Sequence, residues 1–589
     1  MSKPPLPDVA AAVLPKLCGA DIELGNFILG LEQSGTTGYE ASRALLAEIY
    51  GLPCRASGYY GQSCYGGSYY GSGAYGSGYS GNGCYSNWSS ALAAGRGRKK
   101  ESSAEDCSAA RSRAYNPQDV SRRFLSANGG CAYIDLDHVE LCLPEVRSAF
   151  DHVAAWHAML RIMKTALHEA NAKQPAGRRL QVLVNNSDGQ GNSYGSHLNF
   201  LIRRRTFDNL FYRKAHYLQF LASFQVSGMV LTGQGKVGSE HGRPATPYQI
   251  SQRADFCAAL QGVQTTYDRP LVNSRDEALC GRRPAGDPAA PARLHVIFCD
   301  SALAHGSALF RVGPMQLILT LLEMGLVNPR LILDDPLDAV LRYSHDSTLR
   351  ARAAVITGKR LTAVELQSAY LEEVKRYAAQ GVFAGIVPRA EEIIALWEDT
   401  VNKLAGNDWA ALAPRLDWVM KLMAIERALQ QRPELDWTSP EIKVIDHLYS
   451  SLDSDGLYWA YEAGGFAEQL VPPERIAYFT AHPPEDTRAW TRAMLLRRAA
   501  PESVVSVDWD SITFKLRGRY NWPTYRTVDL PDPLAHTQAE VAALFAEITG
   551  FEDLLDALEA RSAGETQPLN ARYRNDEGEE ENAIASTLQ

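Results

Sequence analysis

The 589-residue chain has no run of about 18 apolar residues, which argues against a membrane-spanning helix. Cysteine is sparse, ten in all, and no two stand in a Cys-x-x-Cys spacing, so no zinc module is expected. At that density the thiols read as reduced side chains of a cytoplasmic protein. Residues Met1 to Cys18 lack a basic start followed by an apolar run, and no secretory signal is expected there. A strong charge of one sign is also missing: 59 Lys and Arg stand against 68 Asp and Glu, a net −9. That excludes a general attraction to nucleic acid or to an anionic membrane. The densest basic cluster, Arg96-Gly97-Arg98-Lys99-Lys100, reads as a solvated loop.

What is present is enough apolar material, 45% of the residues, for a sizeable core. The length predicts two or more structural units. Residues 57–88 are almost entirely Gly, Ser and Tyr, with eight tyrosines from Tyr59 to Tyr85. Such a stretch cannot bury a core and is expected to be a flexible insertion running to about residue 115. The end, with Asp576-Glu577-Gly578-Glu579-Glu580-Glu581, is expected to be a disordered acidic tail. Between these, apolar spacing predicts helix over 38–50, 118–127, 145–174 and 206–224, and a mostly helical stretch from 312 to about 450. Strands are expected at 17–30, 131–137, 180–186, 197–204, 227–232, 247–251 and 292–299. A strand pair at 504–516 and a helix at 537–561 close the ordered chain.

Five segments carry chemistry-bearing side chains. On the first strand Asp21 and Glu23 share a face, because side chains two apart in a strand point the same way. Two carboxylates there are tolerated either by solvation or by a cation between them. The segment from Tyr133 to Glu140 holds a phenol, three carboxylates and an imidazole in eight residues. It suits a hard cation such as magnesium, or a polar sheet edge. The loop Asn185 to Asn199 places glycines at 189, 191 and 195 among polar residues. That lets backbone approach a ligand closely, or simply makes a turn; no Gly-Lys-Ser/Thr follows, so it is not a Walker loop. Finally, Ser251-Gln252-Arg253 and Asn273-Ser274-Arg275-Asp276-Glu277 set an arginine among amides, hydroxyls and carboxylates. Each fits a phosphate or carboxylate ligand bidentately, or a surface salt bridge.

Taken in order, these segments resemble the Pup ligase and Pup deamidase (Dop) family, whose fold is like that of glutamine synthetase. Further matches are Arg293-Leu294-His295-Val296-Ile297, Leu416-Asp417-Trp418, Pro483 to Ala489 and Asp508-Trp509-Asp510. The resemblance runs from about Leu17 to about Leu516, apart from the Tyr/Gly insertion. It implies an α+β fold: a curved antiparallel sheet cradle packed with helices, plus a smaller C-terminal domain. The domain boundaries expected are 1–35 and 129–480 for the catalytic domain, 36–128 for an insertion, 481–562 for the small domain and 563–589 for the tail.

The resemblance also implies roles. Asp21, Glu23, Tyr133 and Glu140 stand at magnesium-binding positions, Asp21 where the family has a glutamate. Asp135 stands at the catalytic aspartate. Trp509, Arg253, Arg275 and Asn199 are expected around ATP; no substrate-binding residue is nominated. The implied reaction uses Mg2+ and ATP to make or hydrolyse an amide or isopeptide bond on a Pup-like or ubiquitin-like protein tail. Three details favour the Dop side: the five-residue spacing of Asp135 and Glu140, the loop Asp188-Gly189-Gln190-Gly191 with Gly195-Ser196-His197, and the place of the insertion. Departures are Leu198 for a glutamate, Cys131 for an ATP-binding arginine, Ala278-Leu279 for Pro-His, and Ala302 and His305 for an asparagine and a glutamate. These keep open a phosphotransferase or ATPase on another acceptor, and a non-catalytic nucleotide-binding scaffold.

Overall fold

A computed structural model of the chain describes residues 13–31, 37–49, 52–53, 121–277, 279–280, 287–518 and 522–564. The Tyr/Gly-rich stretch, the basic run, Ala278 and the acidic run after residue 575 lie outside the described residues.

The central element is a seven-stranded antiparallel sheet. Its strands run in the order Pro291–Val296, Ser196–Arg203, Cys18–Glu23, His138–Cys142, Cys131–Asp135, Arg123–Phe124 and Leu52–Pro53. Alternation splits each long strand between two faces. Ala20, Ile22, Ala132, Ile134, Val139, Leu141, Leu198, Phe200, Leu294 and Val296 are buried on one face and join the main hydrophobic core. The other face carries Asp21, Glu23, Tyr133, Asp135, Glu140, His197 and Asn199. This is the antiparallel cradle that the resemblance implies.

Helices cover the apolar face. His305–Glu323 packs on the Ser196–Arg203 strand and against both Ala149–Ala172 and Ala215–Thr232. Ser148 caps Ala149–Ala172 by accepting from the Phe150 N–H at 3.2 Å, which satisfies one otherwise orphan donor. Residues 227–232, expected as a strand, continue the helix Ala215–Thr232 instead. That helix is buried on nearly all sides, so its apolar residues show no helical stripe and resemble a buried strand. The helix expected at 118–127 is also corrected: Arg123–Phe124 is a strand, paired with the Cys131–Asp135 strand through the turn at Asn128-Gly129-Gly130.

A second hydrophobic core lies toward the C-terminus. It joins Phe124, Cys131, Tyr133 and Cys142 to Trp490, Val504, Ile512, Phe514 and Val528. The sheet there has three strands, Val504–Val507, Ser511–Arg517 and Pro523–Asp529, followed by helices Gln538–Glu547 and Phe551–Gly564. Buried Glu145 ties this core to the cradle, accepting from Arg488 Nε at 2.9 Å and from Arg492 Nη2 at 2.6 Å. Although burial opposes the charge, the two guanidiniums prevail and hold the Glu145 carboxyl down at about 2. Among the described residues, no helix is long and apolar enough to cross a membrane.

Candidate active site

The polar face of the sheet brings three carboxylates together. Glu23 pairs across the strands with Glu140, which pairs in turn with Tyr133, so the three form one row. The two-residue turn Leu136-Asp137, with Leu136 at φ 50°, sets Asp135 opposite His138 at the mouth of this row. One carboxylate oxygen each from Glu23, Asp135 and Glu140 lie within 4.8 Å of one another. Glu140 is almost fully buried, and burial followed by the charges of Asp21 and Glu23 pushes its carboxyl well above the usual range. Tyr133 donates to Glu140 Oε1 at 2.5 Å and fixes that carboxyl's orientation.

The glycine loop reaches the same row. Gly195 N–H donates to Glu23 Oε2 at 2.6 Å. A Cβ on Gly195 would collide with the His197 ring and force it to shift away from Asp21. The loop's backbone therefore orients a carboxylate as well as making a turn. His197 Nδ1 lies 2.9 Å from Asp21 Oδ1, and the His197 N–H donates to the same oxygen at 3.1 Å. Burial alone would raise the Asp21 carboxyl, but His197 and its hydrogen bonds hold it below the ordinary value. Asp21 stands beside the three-carboxylate group without joining it.

Leu198 lies on the opposite face, fully buried between Ala20 and Val296. The glutamate missing at 198 is thus not a gap in the acidic row; His197 is the residue of that strand that reaches it.

Buried arginines stand on the other side of Glu23. The turn carrying Arg253 is held by Asp300, which accepts from Gln252 N–H at 2.8 Å, Ser251 Oγ at 2.9 Å and Arg253 N–H at 3.2 Å. Arg253 is 2% exposed, and its Nε and Nη2 have no hydrogen-bond partner. Arg269 is also buried; its Nη2 donates to Ser193 O, while Nε and Nη1 have no partner. Burial and then the Arg253 charge lower the Arg269 guanidinium to about 9, and the Glu23 carboxylate works against both effects. Unmatched buried donors of this kind suit a polyanion.

Asn199 and Arg275 are placed elsewhere. Asn199 Oδ1 accepts from Arg293 Nη1 at 2.9 Å and contacts His295 Nδ1 at 2.8 Å, further along the polar face. Arg275 is 38% exposed in its side chain and faces Glu277 at 3.6 Å. Trp509 packs edge-on against Phe124 at 5.3 Å, beneath the Arg492 guanidinium. It lies at the margin of the second core that includes Tyr133. The Cys131 thiol is buried in that core and contributes no positive charge.

His197, Arg269, Arg293, His295 and Asp300 were not among the nominated residues. His197 follows from strand alternation once Asn199 is placed, and His295 and Arg293 follow likewise on their strand. Arg269 lies in no motif, and only the fold brings it to Glu23.

The geometry suits a divalent cation. Three oxygen donors converge, Glu140 buried and Glu23 and Asp135 half-buried, where unneutralised like charges repel. The unpaired arginine donors suit an anion such as phosphate. Residues 86–513 match the family described as Pup-ligase protein. The depupylase of Acidothermus cellulolyticus is 34% identical over 435 residues, covering 74% of this chain and 83% of the relative. The Pup deamidase/depupylase of Mycolicibacterium smegmatis is 34% identical over 436 residues, with the same coverage. The Pup–protein ligase of Acidimicrobium ferrooxidans is 34% identical over 435 residues, covering 73% of this chain and 90% of the relative. Among solved structures, the complex between the prokaryotic ubiquitin-like protein Pup and its ligase PafA matches with a TM-score of 0.69 at 21% identity, covering 99% of each chain. PafA in complex with ADP matches with a TM-score of 0.63 at 24% identity, covering 75% of this chain and 91% of that one. The chain belongs to the Pup-ligase protein family.

Proposed function

We propose that this protein is a magnesium- and ATP-dependent hydrolase of the depupylase kind, cleaving an amide or isopeptide bond at the tail of a Pup-like protein. The observation that carries this reading is the convergence of Glu23, Asp135 and Glu140 within 4.8 Å. Glu23 and Glu140, with Tyr133 and the neighbouring Asp21, are the residues to hold magnesium. Arg253 and Arg269 are the residues to receive phosphate, and Trp509 to meet the base. Bound magnesium nucleotide supplies charge neutralisation and Lewis acidity at this row.

The remaining work falls to the chain's own groups. Gly195 N–H and Tyr133 O–H hold the Glu23 and Glu140 carboxylates in fixed orientations, so the row needs no reorganisation on binding. Asp135 sits at the end of its strand and is less buried than Glu140, which leaves it open to a substrate. There it takes the proton of an attacking water, or itself attacks the carbonyl.

Hydrolysis is favoured over ligation by the turn at Leu136-Asp137. It sets the five-residue spacing of Asp135 and Glu140 that the resemblance associates with the depupylase side. The experiment is to incubate the protein with ATP and magnesium, first with a Pup-conjugated protein and then with free Pup and a lysine-bearing acceptor. Release of Pup without conjugate formation is expected. Conjugate formation alone would reassign the protein as a ligase. ATP consumption with neither product would favour a phosphotransferase or ATPase, and no turnover at all would favour a scaffold.

A further inference from the structure

We infer that His157, His305 and Glu462 form a second metal site, for a divalent transition metal such as zinc, separate from the carboxylate row. Three helices meet there. His157 lies within Ala149–Ala172, His305 opens His305–Glu323, and Glu462 lies in Leu457–Ala463. One ligand atom from each lies within 4.8 Å of the others. The two imidazole rings are 4.4 Å apart at their centroids.

The pointer to a ligand is a concentration of unmatched polar atoms. Both histidines are fully buried. His305 Nε2, Glu462 Oε1 and the His157 nitrogen turned away from the Leu303 carbonyl lack a hydrogen-bond partner. So do Tyr458 Oη and Trp459 Nε1, whose rings each lie 6.3 Å from that of His157. Buried polar groups are nearly always satisfied, so a cluster of this size calls for an occupant.

The donor set decides the class. Two imidazoles and one carboxylate suit zinc and its neighbours, with one position left for water. Magnesium, which takes oxygen ligands, fits the carboxylate row instead. The Leu303 carbonyl faces the His157 ring and suits the outer N–H that a ligating histidine needs. At His305 the Leu470 N–H donates to Nδ1 at 3.2 Å, which places the ring proton on Nε2, the unmatched nitrogen, as long as the metal is absent. Binding there moves the ring proton to Nδ1 and opens that contact, so the Leu470 amide reports occupancy.

The opposing charge is Arg161, one helical turn beyond His157, which lowers both histidines. Lys164 stands over the Trp459 ring at 4.5 Å and adds positive charge nearby. Positive charge beside the site opposes a bound cation and weakens its binding.

The test uses the untagged, chelator-treated full chain in excess magnesium, titrated with Co2+ and then Zn2+. One cobalt per chain, with the visible absorption of a four- or five-coordinate ion, is expected, together with a zinc-dependent rise in melting temperature. His305→Ala and Glu462→Gln are each expected to remove both signals. Arg161→Gln is expected to tighten cobalt binding several-fold, which a merely structural histidine pair would not show. Absence of stoichiometric cobalt binding, or a cobalt spectrum unchanged in His305→Ala and Glu462→Gln, would overturn the assignment.

Discussion

Glu23 and Glu140 face each other directly on neighbouring antiparallel strands, with the Tyr133 hydroxyl bonded to Glu140 from the strand beyond. Directly opposed like charges weaken a sheet. Here they lie at its centre, where Gly195 and Tyr133 donate to them. The arrangement spends stability to hold a cation-ready site.

Glu140→Gln tests that cost. The folded-state carboxyl is raised above its usual value, so the wild-type protein without metal loses stability as pH rises from about 4.5 toward that raised value. Glutamine removes this loss. The variant is expected to melt higher than wild type at pH 8 in chelator. Saturating magnesium is expected to reverse the ranking, because wild type alone gains the full ligand set. Melting temperatures with and without magnesium check both signs.

Leu198→Glu restores the residue type the family carries, yet it is expected to harm this chain. Position 198 is fully buried between Ala20 and Val296 on the apolar face. An unpaired carboxylate there costs several kcal/mol, on the order of 3–5. Differential scanning fluorimetry is expected to show a large fall in melting temperature and no gain in magnesium affinity.

Arg253→Ala and Arg269→Ala are each expected to weaken nucleotide binding about 10–100-fold, the range of a lost charge-assisted bond. Each change removes buried donors that have no partner, which offsets part of the cost of the cavity and of the lost bonds to Ser196 O and Ser193 O. Arg275→Ala is expected to do less, because that side chain is partly exposed and faces Glu277. Titration with fluorescent ATP checks the ranking.

Glu145 gives the fold its own pH dependence. Its carboxyl lies at about 2 against an ordinary 4.5. The clamp with Arg488 and Arg492 is thus fully present above about 4.5 and is lost as pH falls toward 2. The shift corresponds to about 3 kcal/mol. Glu145→Gln is expected to lose that stability at pH 7 and to show a flatter melting profile between pH 4.5 and 2. Melting curves of the two proteins across that window measure the difference.

The acidic row was legible because strand alternation works on short, clear segments. Tyr133 and Asp135 share a face as alternation predicts, but Asp137, expected on the same face, lies in the turn, and Glu140 joins the row across that turn while Glu23 joins it through a strand more than 100 positions away. The resemblance supplied that pairing; periodicity could not. Residues 227–232 were misread because a helix apolar on all sides carries no stripe. Leu198 was weighed as a lost ligand because its face depends on the pairing register with Ala20, which the residues alone do not state. Arg269, the Glu145 clamp and the His157–His305–Glu462 cluster are products of tertiary packing, with no local signal.

The most direct test of the account is the Asp135→Asn protein assayed with ATP, magnesium and a Pup-conjugated substrate, beside a measurement of nucleotide affinity. Asparagine keeps the size of the side chain and removes its charge and its basicity. The account predicts that Pup release falls by at least about 100-fold, the scale of a lost general base, while ATP affinity changes little. Unchanged Pup release in this variant would contradict the role given to the row from Tyr133 to Glu140.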